Sequence, residues 1–174
     1  MIERPDSICV CSLSRLHHTV RASGASHILT LINAGTPVER PGHIAEDRHL
    51  FLGFNDITTP MEGMTPPGAE HVEALIGFAE NWDRRAPMVV HCWAGISRST
   101  AGAFISICAL NPARDEFELA QTIRKLAPSA TPNARLVAIA DDVLGREGRM
   151  VDAVLSIGRG EFAYEGTPFA LTLD

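Results

Sequence analysis

Apolar and polar positions along this chain of 174 residues follow two periods, and the switches between them mark its elements. Ser7-Ile8-Cys9-Val10-Cys11-Ser12-Leu13 alternates as a first strand. Leu16 to Ala22 reads as a short helix ended near Gly24. His27 to Ile32 is a second strand, closed by the turn Asn33-Ala34-Gly35, and His49 to Phe54 a third with Asn55-Asp56 at its end. Thr58 to Gly68 carries three prolines and two glycines and is a long loop. From about Pro67-Gly68-Ala69 the period becomes helical, with Val72, Leu75, Ile76 and Ala79 on one face. Pro87-Met88-Val89-Val90 reads as a buried fourth strand and Ala101 to Leu110 as a buried helix. Arg114 to Ala127 puts Phe117, Ala120, Ile123 and Leu126 in helical register. Pro132 then opens a helix at its first turn, and Asn133 to Leu144 continues it to Gly145. Met150 to Ile157 is compatible with a short helix, and Phe169 to Leu173 with either an added edge strand or a docked tail.

Strands alternating with helices predict an α/β fold with a largely parallel sheet covered by helices on both faces. The length suits one domain, with a core at about 7–145 and an extension from 146 to 174. A net charge of -6 leaves no basic footprint for nucleic acid. No apolar stretch approaches the roughly 20 residues of a membrane span, and the N-terminus makes a poor signal peptide. The expectation is a cytoplasmic protein, a monomer by default.

Of the four cysteines, Cys9 and Cys11 share a strand face in poor geometry for a disulfide, and Cys108 sits in an apolar helical run. Cys92 has no such reading. It lies in His91-Cys92-Trp93-Ala94-Gly95-Ile96-Ser97-Arg98-Ser99-Thr100, between a buried strand and a buried helix. A helix N-terminus presents unpaired N–H groups and a partial positive charge, which favour an anion. Arg98 adds a full charge and a planar fork that matches two phosphate oxygens. Both favour the thiolate of Cys92, the form that acts as a nucleophile. Residues 93–97 must curl so that their N–H groups point inward, and Gly95 supplies the freedom for that curl. Ser99 is placed to donate a hydroxyl hydrogen bond to the sulfur, and His91 to orient the loop. Arg98 is the loop's one cation, which disfavours highly anionic substrates such as polyphosphorylated inositol head groups.

His91-Cys92, five intervening residues, Arg98 and Ser99 resemble the signature of the protein tyrosine phosphatase superfamily. The short chain and Ser97-Arg98-Ser99-Thr100 resemble its dual-specificity-like branch, particularly compact bacterial members. The resemblance implies a four- or five-stranded, mainly parallel sheet flanked by helices. It also implies metal-free, cofactor-free hydrolysis of a phosphomonoester through a phosphocysteine. Trp93, Ala94, Gly95, Ile96, Ser97 and Arg98 would hold the phosphate of a phosphorylated protein or a small phosphomonoester.

The family's general acid is an aspartate on a loop some thirty or more residues before the cysteine. Asp56, 92 − 56 = 36 positions upstream, is the best match, and Glu62 the runner-up. Leu126-Ala127-Pro128 and Pro132-Asn133 resemble a second family segment, with Ala127 where an arginine usually stands. Asn133 either braces the phosphate loop or is a solvated residue of its helix. Two rival functions use similar loops: a catalytically weak phosphate-binding module, and a rhodanese-like or arsenate-reductase-like thiol enzyme. A second cysteine near Cys92 would favour the latter. The seven histidines are too dispersed for a metal site.

Overall fold

The computed structural model of the chain describes residues 3–174. Its centre is a sheet of five strands in the order β3-β2-β4-β1-β5. β1 (Ile8–Ser12), β2 (His27–Ile32), β3 (His49–Gly53) and β4 (Met88–Cys92) run parallel. β5 (Phe169–Leu171) pairs antiparallel with β1 at the edge. The C-terminal alternation is therefore an edge strand and not a docked tail. β4 runs two residues further than its apolar run, so that Cys92 ends it opposite Ser12 of β1.

The two faces of the sheet are covered unequally. On one, α1 (Leu16–Ser23) packs Leu16 and Val20 against Cys9, Cys11, Ile28 and Val89, with Ile44 filling in beside them. Gly24, in a left-handed conformation, ends that helix. The other face carries α2 (Ala69–Asn81), α3 (Arg98–Leu110), α4 (Glu116–Leu126), α5 (Ala134–Leu144) and α6 (Arg149–Ile157). α3 is the innermost, buried without interruption from Arg98 to Cys108. Its Ala101-Gly102-Ala103 stretch allows close approach: a Cβ on Gly102 would lie 2.6 Å from Leu31 Cδ1 and 3.2 Å from Val90 Cγ1. Burying so continuous an apolar helix fixes where it begins, and it begins at Arg98, one turn earlier than the apolar run alone indicates.

Two further expectations need correction. The apolar face of α4 holds at Ala120 and Ile123 but differs at its ends: Glu116 and Leu119 are buried, whereas Phe117 and Leu126 are exposed. Burial of Glu116 goes with a partner. Glu116 Oε1 is 2.9 Å from Arg146 Nη1 in a buried ion pair that joins α4 to the turn after α5. At α5, Asn133 is the N-cap, accepting from the Leu136 N–H at 3.0 Å, so Pro132 stands just outside the helix. The segment after 145 is no loose appendage, since α6 packs on α4 and α5 and β5 completes the sheet. No helix among the described residues is long and apolar enough to cross a membrane.

Candidate active site

The carboxyl ends of the four parallel strands gather the chemistry, as is usual for α/β sheets. Ser12 ends β1, Asn33 follows β2, Asp56 lies three residues beyond β3, and Cys92 ends β4. From Cys92 the chain curls once and enters α3 at Arg98.

The curl is fixed from outside. Cys92 O meets His91 Nδ1 at 3.2 Å, and Trp93 O accepts from the Leu13 N–H at 3.1 Å. Ala94 O accepts from Gly166 N–H at 2.8 Å, and Ile96 O from Thr131 N–H at 2.9 Å. Ser97 O accepts from Asn133 N–H at 3.2 Å. Every peptide bond here is trans and planar, so a carbonyl turned outward sends the following N–H inward. Gly95 displays the result, its N–H reaching Cys92 Sγ at 3.3 Å. Glycine is required there twice over. Its φ is +73°, and a Cβ would lie 2.8 Å from Cys11 C and Ser12 N.

Cys92 and Ser99 meet as their spacing suggested, Sγ to Oγ at 3.1 Å. Arg98 is buried, and its Nη1 donates to Asn33 Oδ1 at 2.7 Å and to Phe54 O at 2.8 Å. Its Nε is buried without any partner. A guanidinium anchored at one nitrogen, with an orphaned N–H beside it, is set to take an anion. Among the described residues no carboxylate lies within ion-pair distance of it; both partners are neutral oxygens.

His91 is fully buried, its Nε2 2.7 Å from Thr30 Oγ1, which in turn is 2.7 Å from His49 Nε2. Burial pushes the His91 pKa down to about 4, partly opposed by the bond to Cys92 O. The neutral ring donates from Nδ1 to that carbonyl and accepts at Nε2 from Thr30.

Asp56 sits across the pocket on an exposed turn. Its Oδ1 accepts from Ser97 Oγ and from Asn133 Nδ2, both at 2.8 Å. Asn133, itself buried, also donates to Ile57 O at 3.2 Å. It therefore braces both the phosphate loop, through its N–H, and the Asp56 turn, through its amide. Asp56, Arg98, Asn33 and Trp93 line one cleft of about 440 Å³; Glu62 does not line it. Asn33 escaped the reading of the sequence, where it looked like a turn residue. Its place after a parallel strand was the available signal.

Cys9 and Cys11 pack on the α1 face of the sheet, and burial pushes both thiols up to about 12. Cys108 is likewise pushed up to about 12 inside α3. All four cysteines are free.

Residues 57–130, which span α2, β4, the phosphate loop, α3 and α4, match the protein-tyrosine phosphatase family. No curated protein matches the sequence. Among solved structures, Cydia pomonella PTP-2 phosphatase is similar, at 19% identity and a TM-score of 0.61, over 78% of this chain and 84% of that one. DUSP15 is similar at 15% identity and a TM-score of 0.61, over 90% of this chain and 94% of its own. A mouse protein solved as a dual specificity phosphatase complexed with zinc tungstate gives 16% and 0.59, over 87% and 92%. These likenesses establish a fold shared with those phosphatases, and residues 57–130 carry the likeness to the protein-tyrosine phosphatase family.

Proposed function

We propose that this chain is a cysteine-dependent phosphatase of the compact dual-specificity-like kind found in bacteria. It acts in the cytoplasm on phosphotyrosine or other phosphoprotein monoesters. The observation that carries this reading is the orphaned Arg98 Nε beside a loop whose carbonyls bond outward and whose Gly95 N–H reaches Cys92 Sγ. Arg98 Nε and the loop amides take the nonbridging phosphate oxygens, which bear the charge of a loose transition state. Cys92 attacks phosphorus in line while the ester oxygen departs on the opposite side. Protonated Asp56 gives its proton to that oxygen, since an alkoxide or phenoxide leaves poorly without one. Its Oδ1 is held by Ser97 and Asn133, which leaves Oδ2 for the transferable proton. The carboxylate then takes a proton from water as that water attacks the phosphocysteine. Ser99 supports the departing thiolate from 3.1 Å.

The thiol-enzyme rival loses support because the thiol of Cys11, a neighbour of Cys92, is pushed up to about 12 by burial and is not activated. A pure binding module has no use for a thiolate under an arginine, nor for a carboxylic acid braced across from it. The test is hydrolysis of p-nitrophenyl phosphate. Turnover that withstands chelator, is blocked by vanadate and is lost in Cys92→Ser is expected. Full activity of that variant, or tight phosphopeptide binding with no turnover by the wild type, overturns the proposal.

A further inference from the structure

Beside the phosphate loop lies a second cleft, and it is built by the C-terminal segment. After α6 the chain runs as a strap over residues 158–168. Gly160 N–H donates to Thr131 Oγ1 at 3.1 Å, Glu161 N–H to Pro128 O at 2.9 Å, and Arg124 Nη2 to Gly158 O at 2.9 Å. At its other end the strap rests on the phosphate loop, where Gly166 N–H donates to Ala94 O at 2.8 Å. A Cβ on Gly166 would lie 2.7 Å from Gly95 O, so the two backbones are in direct contact.

This docking places Tyr164 and Glu165 next to Trp93. Together with Leu13, Ser14 and Ala94 they line a mostly apolar cleft of about 380 Å³. Trp93 is shared: it also lines the cleft that contains Arg98 and Asp56. Two large aromatics stand in solvent here, Trp93 at 63% and Tyr164 at 89% exposure. Glu165 Oε1 accepts from Ser12 Oγ at 2.5 Å and from Ser14 Oγ. Those hydrogen bonds, with a smaller contribution from Arg15, hold its carboxyl below the usual range and so charged. Arg15 itself lines a different cleft with Cys9 and His18, and no cation forms an ion pair with Glu165 among the described residues.

We propose that this cleft is a specificity subsite for a lysine or arginine side chain flanking the phosphorylated residue of a peptide substrate. An aliphatic stem fits between Trp93 and Tyr164, whose ring faces attract a cation, and Glu165 Oε2 meets the charged head. A flanking acidic residue would instead face a carboxylate that makes no ion pair among the described residues. The inference rests on the phosphopeptide reading above for the nature of the substrate.

The test uses matched phosphotyrosine peptides with Lys, Ala or Glu beside the phosphotyrosine. Wild type, Glu165→Gln and Tyr164→Ala are compared by kcat/KM and by fluorescence-anisotropy binding. The Lys peptide is expected to exceed the Ala peptide by about fivefold to tenfold at low salt, with the Glu peptide weakest and the differences shrinking as salt is added. Glu165→Gln keeps an acceptor for Ser12 and Ser14 and is expected to cut the preference below about twofold, with p-nitrophenyl phosphate turnover unchanged. Tyr164→Ala, at an exposed position, is expected to halve it independently. A wild type indifferent to the flanking residue, or an unaltered preference in Glu165→Gln, overturns the subsite. Absence of p-nitrophenyl phosphate turnover overturns the phosphatase reading instead, and the binding series then decides the subsite by the same two outcomes.

Discussion

The phosphate loop and the Asp56 turn face each other across one pocket but are held by different means. The loop is bounded by a buried strand and a buried helix, Gly95 suits its curl, and His91, Ser99 and Thr100 bond within it or to its neighbours. Its shape is set by the buried elements at its two ends and by Leu13, Thr131, Asn133 and Gly166, whose N–H groups bond its outward carbonyls. Asp56 sits on an exposed turn, and the two bonds to its carboxylate come from Ser97 and Asn133, 41 and 77 residues away in the chain. On the proposed mechanism, charge stabilisation resides in a part of the molecule bounded by core elements. Proton transfer on that mechanism depends on an exposed turn whose carboxylate is held by side chains from elsewhere in the chain.

Substitutions should separate the two sides in a fixed order. Cys92→Ser should abolish turnover of every ester while leaving the Asp56 contacts intact, measured by p-nitrophenyl phosphate hydrolysis. Arg98→Lys should cost at least about a hundredfold in kcat/KM, because an ammonium cannot reproduce both the Asn33 and Phe54 bonds and a fork for phosphate. A loss independent of the leaving group would mark that effect as belonging to the loop. Asp56→Ala should cost about a hundredfold with a poor leaving group and much less with a good one. Glu62→Ala should change either by less than about twofold; a larger loss there than at Asp56 would reverse the assignment of the acid.

Asn133→Ala probes the link between the two sides. Removing its amide should lower kcat by about tenfold with a poor leaving group, against the hundredfold or more that acid catalysis contributes in full. It should also remove the N-cap of α5, at about 1 kcal/mol of stability. Equal losses for good and poor leaving groups would mean that its capping of α5, and not its hold on Asp56, is what matters.

The smallest effect on turnover is expected from His91 titration, which acts on stability. Its folded pKa of about 4 lies below the ordinary 6.5, so the unfolded chain binds the proton first. Stability should be full above pH 6.5 and fall as pH drops toward 4, by at most about 3 kcal/mol, with His27 and His49 shifted in the same direction. Urea midpoints across that range should flatten in His91→Asn. An unchanged slope would place the acid sensitivity elsewhere.

The contrast between the two sides is also the contrast in what could be read in advance. Strand β4, the loop and the apolar run of α3 are contiguous, so local pattern and residue chemistry give Cys92, Gly95, Arg98 and Ser99 together. The same holds for β1, β2, α2 and α5, whose periodicity is unbroken. On α4 the burial of Ala120 and Ile123 was legible, but that of Glu116 was not, because its partner Arg146 lies 30 residues away in the chain. Asn33 was passed over because a turn residue and a guanidinium anchor look alike until the strands are laid side by side.

By itself the sequence determined a mainly parallel α/β fold and a strand-loop-helix segment with a thiol at its start and an arginine at its end, because hydrophobic periodicity and a strand-loop-helix boundary are local properties of the chain. The tertiary structure alone decided that Asn133 holds Asp56, that Asn33 orients Arg98 without neutralising it, and that the strap at 158–168 brings Glu165 beside Trp93. Those relations join residues from separate elements. Their spacing in the chain carries no signal, and only the packing of helices and strands on one sheet puts them within hydrogen-bonding distance or along one cleft.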